Sequence, residues 1–318
     1  MSSTPRPSYD SELAVALVAM NFSSTVTIDM IGHVREKSAP SCEQALEGRA
    51  VVHEERKITG PQSEILISII RSTAGQLSTT NYPGIFYTHG GGMIAGNRFL
   101  GIGAVLDWVE EYNATCVSVE YRLPPEHPDP APVEDCYTAL LWVHENLDEL
   151  RIDPKKLMIV GSSAGGGLAA GTALLSRDRG GPQLCAQILI CPMLDDRNET
   201  VSSYQYVGEG SWSRGSNFTG WTCLLGRRRG GVDVSIYAAP ARANDLSGLP
   251  PTFIDVGSAE VFRDEAVNYA TLLWKAGIQA ELHVWPGGFH GFDLLAPNAT
   301  LSIVARETRS KWVCRTLG

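Results

Sequence analysis

Residues 155–171 constrain the fold of this chain more than any other stretch, because an apolar run there meets a serine set between glycines and small residues follow. The pattern predicts a strand, a sharp turn and a helix, with Ser163 at the tip of the turn. Glycine two positions before and two positions after the serine removes the Cβ atoms that would clash in such a turn. A Gly-x-Ser-x-Gly pentapeptide is frequent by chance in a chain with 32 glycines, so Ser163 needs partners elsewhere.

The sequence from Gly84 onward alternates strand patterns with helix patterns, which predicts right-handed βαβ units and a parallel sheet. Before this point, two strand patterns flank Thr59-Gly60-Pro61 and predict an antiparallel hairpin. The central strand is expected to begin after Asp153-Pro154. The predicted strands are 51–58, 64–72, 84–89, 115–121, a central strand near 155–161, 186–191, 251–257 and 279–285. The predicted helices, besides the one after Ser163, are 11–20, 105–110, 133–150, 261–277 and 297–314.

Two segments interrupt this rhythm and are expected to form a cap. Residues 1–50 contain one short helix pattern and a polar stretch, and residues 195–235 have no strong period and are too long for a simple connector. We expect both to cover a single core built from residues 51–194 and 236–318. Five aromatic side chains of the insertion are candidates to line a pocket, although each is more often a packing residue: Tyr204, Tyr206, Trp212, Phe218 and Trp221.

Composition excludes several classes of protein. The net charge is −9, and the one basic cluster is Arg227-Arg228-Arg229, so no nucleic-acid partner is expected. The apolar run 13–20 is short and follows acidic residues, so we expect no signal peptide, no stable membrane insertion and a cytoplasmic location. Asn-x-Ser/Thr triplets, which favour a secreted protein, begin at Asn21, Asn113, Asn198, Asn217 and Asn298. Seven cysteines without a Cys-x-x-Cys motif indicate reduced and mostly buried thiols.

A serine hydroxyl is a weak nucleophile at neutral pH, so it needs a nearby base, and the base needs an orienting acid. His290 is the candidate base, because it lies in a glycine-rich loop directly after the last predicted strand. Four acids lie between Ser163 and His290 near a strand end. Asp255 falls inside a predicted strand, and Asp264 and Glu265 fall inside the following helix. Glu260 lies in the intervening loop and is the candidate acid, although it could instead complement the dipole of that helix.

Acyl transfer also develops an oxyanion, which preorganised backbone N–H groups stabilise. The motif His89-Gly90-Gly91-Gly92 follows a predicted strand and lets the backbone expose bare N–H groups towards a neighbouring site. A further donor is expected from the N–H of Ala164, at the start of the helix that follows the serine.

The motifs occur in the required order, and together with Tyr121-Arg122-Leu123-Pro124-Pro125-Glu126-His127-Pro128 and Arg263-Asp264-Glu265 they resemble the hormone-sensitive-lipase-like esterases of the α/β-hydrolase superfamily, the bacterial family IV type. This resemblance, from about residue 51 to the C-terminus, implies an α/β-hydrolase fold. Such a fold has a mostly parallel eight-stranded sheet flanked by helices, with a helical cap. The implied activity is a serine carboxylesterase on small-molecule esters, without metal or cofactor. The residues carried over are Ser163 as nucleophile, Glu260 as acid, His290 as base, and Gly91, Gly92 and Ala164 as oxyanion donors.

Two positions depart from the family pattern. Glu260 stands where Asp is usual and is one methylene longer, so its loop must lie slightly further from the imidazole. Ser162 replaces the commoner Asp before the nucleophile and removes a charge there. Neither change deletes a group that the mechanism requires.

Other functions are compatible with parts of the pattern. A dinucleotide-binding loop fails because Ala170 stands where a third glycine is needed, and the chain has no P-loop motif. A non-catalytic ligand receptor on the same fold is expected to lack part of the triad. Lactone, thioester or amide hydrolysis uses the same machinery as hydrolysis of short- to medium-chain acyl esters. The last strand is a candidate sheet edge, which suggests a homodimer.

Overall fold

A computed structural model describes residues 4–21, 23, 25–74 and 81–317. The expected ranges 1–50, 51–194 and 236–318 therefore each include a few residues outside this description. Within it, the strands form one eight-stranded sheet in the order β1-β2-β4-β3-β5-β6-β7-β8. The strands are β1 Val51–Thr59, β2 Glu64–Ser72, β3 Tyr82–Thr88, β4 Thr115–Glu120, β5 Ile152–Ser162, β6 Ala186–Ile190, β7 Thr252–Gly257 and β8 Ala280–Trp285.

The pairing confirms the predicted hairpin and the mostly parallel sheet. β1 pairs antiparallel with β2, and β2 pairs antiparallel with β4. The remaining neighbours, from β4 and β3 through to β7 and β8, pair parallel. β8 is an edge strand, as expected, and β1 forms the other edge. The carboxyl ends of the parallel strands therefore meet along one rim, where a site is expected.

The helices cover both faces of the sheet and the rim. They are α1 Ser11–Met20, α2 Ile31–Lys37, α3 Cys42–Leu46, α4 Gly103–Tyr112, α5 Ala131–Glu145, α6 Leu147–Leu150, α7 Ala164–Asp178, α8 Val201–Gln205, α9 Arg214–Leu225, α10 Arg263–Lys275, α11 Phe292–Leu295 and α12 Thr300–Leu317. Short 3₁₀ helices occur at Ile28–Met30, Gly226–Arg228 and Pro240–Arg242.

Several boundaries differ from the sequence predictions for local reasons. β5 begins at Ile152, so the expected break at Asp153-Pro154 is wrong; the register of β3 and β5 shifts there, and such an irregularity tolerates proline. The helix predicted over 133–150 is two helices, α5 and α6, which meet at Asn146. The polar stretch before β1 contains α2 and α3, which were not predicted.

Two hydrophobic cores lie on opposite faces of the sheet. β5 shows the division, because Leu157 and Ile159 pack in one core and Met158 and Val160 in the other. A strand that alternates between two apolar faces is buried on both, as a central parallel strand requires. All seven cysteines carry free thiols, and most are buried, as expected: four are buried, Cys42 and Cys185 are partly buried, and Cys314 is exposed.

The N-terminal segment and the 195–235 insertion contact each other above the rim. Val26 N–H donates to Ser216 Oγ at 2.9 Å, and Tyr206 Oη donates to the Pro7 carbonyl at 2.9 Å. Ile31 packs with Ile94, Ala95 and Cys223 in a small core that joins α2, α9 and the loop after β3. These contacts agree with a two-segment cap, and the division into core and cap stays a prediction. In the described part of the chain, no helix combines the length and apolar character needed to cross a bilayer.

Candidate active site

Ser163 lies in the sharp turn between β5 and α7, as its sequence predicts. Its backbone has φ 56° and ψ −120°, a conformation that non-glycine residues rarely adopt. A Cβ on Gly161 would lie 2.1 Å from the Gly165 carbonyl oxygen, and a Cβ on Gly165 would lie 2.1 Å from the Thr88 carbonyl oxygen. The flanking glycines are therefore required by direct contact, and the turn holds the serine side chain at the rim.

The structure brings Ser163, His290 and Glu260 together in one hydrogen-bonded row. Ser163 Oγ and His290 Nε2 are 2.8 Å apart, and His290 Nδ1 and Glu260 Oε2 are 2.5 Å apart. With the ring proton on Nδ1, His290 donates to the carboxylate and Nε2 is left to accept from the serine. Glu260 Oε1 accepts the Gly257 N–H at 2.9 Å, so both carboxylate oxygens are used. The ring edge of Phe262 packs against the imidazole at a centroid distance of 5.0 Å.

The other three candidate acids have different partners. Asp264 accepts the Ser202 N–H at 2.7 Å, and Glu265 accepts the Leu194 N–H at 2.6 Å. Asp255, in β7, accepts from Arg309 at 2.7 Å. Among the four, Glu260 is the acid that contacts His290.

The His89-Gly90-Gly91-Gly92 loop follows β3 and lies beside Ser163. An added Cβ on Gly90 would lie 3.4 Å from the Ser163 Cβ. Gly91 has φ 116° and Gly92 has φ 63°, both in the region that favours glycine. Within the described chain, the N–H groups of Gly91 and Gly92 have no hydrogen-bond acceptor, and the Ala164 N–H belongs to the first turn of α7, where intrahelical acceptors are missing. These three donors are free to bind an anion.

The Tyr121–Pro128 segment braces the glycine loop. Tyr121 Oη donates to the His89 carbonyl at 2.7 Å, and its ring stacks on the His89 imidazole at 4.2 Å. Burial lowers the pKa of His89 to about 4, so this second histidine is neutral at physiological pH. Glu126 accepts two hydrogen bonds from Arg35 of α2, at 2.8 and 2.7 Å. The segment therefore connects the loop to the N-terminal helices.

A cavity of about 550 Å³ opens above Ser163 and His290. Its walls combine the glycine loop with Leu100, which follows that loop, with Trp212 of the 195–235 insertion and with Leu294 of α11. Trp212 lies directly on the loop, because a Cβ on Gly92 would be 2.2 Å from the indole ring. Of the five aromatic candidates of the insertion, Trp212 alone lines this cavity; Tyr206 and Trp221 are buried, and Tyr204 and Phe218 are about half exposed.

Sequence reasoning missed a second buried cluster behind the His290 loop. Arg309 of α12, only 2% exposed, contacts Asp255 at 2.7 Å and Asp293 at 3.0 Å. Trp285 also donates to Asp255 at 3.2 Å. No local signal marked Arg309, because it stands in the polar run 306–311, and its two partners lie too far away in sequence to be identified from spacing.

Comparison with known proteins identifies the family. A family model described as the alpha/beta hydrolase fold matches residues 85–294, which is more than half of the chain. The chain belongs to the α/β-hydrolase fold family. The resemblance to its hormone-sensitive-lipase-like members is confirmed, as is the predicted α/β-hydrolase architecture.

Several α/β-hydrolase relatives carry esterase names. The carboxylesterase NlhH of Mycobacterium tuberculosis is 37% identical over 238 residues, covering 69% of this chain and 70% of the relative. Esterase LipI of the same organism is 30% identical over 264 residues, covering 77% and 81%. Among solved structures, a bacterial heroin esterase is 36% identical, covers 98% of both chains and has a TM-score of 0.87.

Proposed function

We propose that this α/β hydrolase is a serine carboxylesterase that cleaves short- to medium-chain acyl esters through a Ser163-His290-Glu260 triad and an acyl-enzyme intermediate. The observation that carries the proposal is the continuous hydrogen-bonded row from Ser163 Oγ through the His290 ring to Glu260, with separations of 2.8 and 2.5 Å. This row lies beneath an open cavity. The esterase names of the relatives support the same reaction class.

In the proposed acylation step, His290 Nε2 takes the Ser163 hydroxyl proton as the oxygen attacks the ester carbonyl carbon. Glu260 keeps the ring in the required tautomer and stabilises the imidazolium that forms. The tetrahedral intermediate collapses when the same imidazole gives its proton to the departing alkoxide. Water then repeats the steps on the acyl-enzyme, which releases the carboxylic acid and restores Ser163.

The N–H groups of Gly91, Gly92 and Ala164 are the proposed donors to the oxyanion. These N–H groups stabilise the transition state because the backbone holds them in place before the reaction. Each such preorganised donor contributes a factor of about 10² to 10³ to the rate. The Trp212 ring against Gly92 and the Tyr121 hydroxyl on the His89 carbonyl support this loop. We therefore expect cap residues to affect the rate as well as binding.

The expected chain-length preference follows from the dimensions of the cavity. About 550 Å³ is within the range of small-molecule sites and accommodates a modest ester. Trp212 closes one side of it. Lactones, thioesters and amides are substrates that the same residues could cleave. A non-catalytic receptor would need neither the Ser163–His290 nor the His290–Glu260 hydrogen bond.

A screen of nitrophenyl esters of increasing acyl length, run on the wild type and on Ser163→Ala, tests the proposal. We expect the wild type to cleave short chains faster than long ones, and Ser163→Ala to lose about 10⁶ in kcat. Hydrolysis that survives in Ser163→Ala, or a preference for emulsified long-chain fat, contradicts the proposal. Matched lactone, thioester and amide substrates in the same screen separate the related activities.

A further inference from the structure

A third side chain approaches the Glu260–His290 pair. Cys191 directly follows β6, and it, Glu260 and His290 each offer one donor atom such that the three atoms all lie within 4.8 Å of one another. In the described part of the chain, no other group of three histidine, cysteine or acidic side chains comes together in this way. The Cys191 backbone has φ 37°, an unusual conformation for a non-glycine residue.

The three donors make up a set that suits one class of cation. Zinc binds thiolate sulfur at about 2.3 Å, imidazole nitrogen at about 2.0–2.1 Å and carboxylate oxygen at about 2.0–2.2 Å, in tetrahedral geometry. In a tetrahedron with these bond lengths the donors are roughly 3.2–3.6 Å apart. The donor atoms of Cys191, Glu260 and His290 now lie within 4.8 Å of one another. Shifts of about an ångström bring them to the tetrahedral separations, and small side-chain rotations produce shifts of that size.

We propose that Cys191, Glu260 and His290 form an inhibitory site for a thiophilic divalent cation such as Zn²⁺. The cation's fourth position is left to water. It is a regulator of the site and not a cofactor of the reaction.

The cation can reach this position from the substrate side. Cys191 and His290 both line the open cavity, and Glu260 lies behind the imidazole, 1% exposed. Binding forms a metal–sulfur bond and releases the thiol proton to solvent.

A cation in this site stops catalysis through the imidazole. Bound to Nδ1, the nitrogen that faces Glu260, it replaces the hydrogen bond to Glu260 and leaves the ring proton on Nε2, so the ring can no longer accept the Ser163 proton. This consequence for activity rests on the proposed function, whereas the binding itself does not.

Binding is tested first without any reaction. Ser163→Ala, freed of metal by a chelator, is titrated with Cd²⁺ while the ultraviolet cadmium–thiolate charge-transfer absorption is recorded. We expect one equivalent of Cd²⁺ to bind tightly to Ser163→Ala. The cadmium–thiolate absorption should be absent from the double variant that also carries Cys191→Ala. Glu260→Gln in the same background keeps the thiol and should weaken binding about tenfold or more, which tests the site even if Cys191→Ala fails to fold.

Inhibition is tested on the active enzyme. Zn²⁺ should inhibit the wild type reversibly, with activity restored by chelator, and Cys191→Ala should need at least about tenfold more Zn²⁺ for half inhibition. Cys42→Ser is the matched control, because Cys42 Sγ lies 3.3 Å from His53 Nδ1 and forms a two-donor pair elsewhere. Its Zn²⁺ response should equal that of the wild type.

The Cd²⁺ titration and the Zn²⁺ inhibition assay together distinguish failure of the metal site from failure of the proposed esterase function. An unchanged Cd²⁺ absorption or an unchanged Zn²⁺ response in Cys191→Ala overturns the metal site. A tight Cd²⁺ complex in an enzyme that cleaves no ester leaves the site standing and overturns the proposed function.

Discussion

Two buried carboxylate clusters lie at the carboxyl end of β7, and they differ in the partner of the acid. Glu260 contacts the imidazole of His290, whose other nitrogen reaches Ser163. Asp255 contacts the guanidinium of Arg309, which is as deeply buried and also binds Asp293. Imidazole gains and loses a proton near neutral pH, and guanidinium stays charged. Burial of the acid is therefore common to both clusters, and the proposed difference in their roles rests on the chemistry of the partner.

Among substitutions of the buried acids and their partners in the two clusters, the largest effect is expected from removing the acid of the first. Glu260→Ala should lower kcat by about 10⁴, because the imidazole loses both its tautomer and its orientation. The kinetics are measured on a short-chain ester, with folding checked by circular dichroism. Asp264→Ala, whose carboxylate contacts the Ser202 N–H instead, is the control and should change kcat little. The reverse result would move the role to Asp264.

A smaller effect on rate and a large one on stability are expected from the second cluster. Arg309→Met leaves Asp255 buried without its cation and should lower the free energy of unfolding by about 3–5 kcal/mol. At low temperature the folded fraction should keep kcat within about tenfold of the wild type, since the triad contacts remain. Urea denaturation and kinetics on the same sample check both values. A loss of kcat comparable to that of Glu260→Ala, with unchanged stability, would erase the distinction between the clusters.

The smallest effect concerns Glu265, a buried acid whose hydrogen bond comes from a backbone N–H. Burial raises the pKa of Glu265 well above its usual range, so the folded protein holds this proton to higher pH than the unfolded chain. Its contribution to stability is present at low pH and is lost as pH rises through the folded pKa. Glu265→Gln does not titrate, so its Tm relative to the wild type should be higher at pH 8 than at pH 5. An equal difference at both pH values argues against the buried, protonated acid.

Sequence patterns were sufficient for the sheet and for most of the row at its rim. Ser163 follows from its glycines, His290 from a loop at a strand end, and Glu260 from the exclusion of acids inside β7 and α10. These inferences are local, because each depends on the periodicity around one residue. The roles of these residues remain predictions that the experiments above test.

The features that escaped prediction depend mostly on contacts between distant parts of the chain. Arg309 and Asp255 are 54 residues apart, and Cys191 reaches Glu260 only because β6 and β7 are neighbours. The irregular insertion gave no sign of which aromatic would face the site, and Trp212 does so through packing on Gly92. Helix α3 is different, since Ser41 and Gln44 form a capping box that the sequence already contained.

The most direct test of the central claim is to identify the residue that a fluorophosphonate modifies. The wild type, Glu260→Ala and Ser163→Ala are treated with the same probe, digested and sequenced by mass spectrometry. We predict an adduct on Ser163 in the wild type, much slower labelling of that residue in Glu260→Ala, and none in Ser163→Ala. Labelling at another residue, or at Ser163 with equal rates in the wild type and Glu260→Ala, would contradict a Ser163-His290-Glu260 triad.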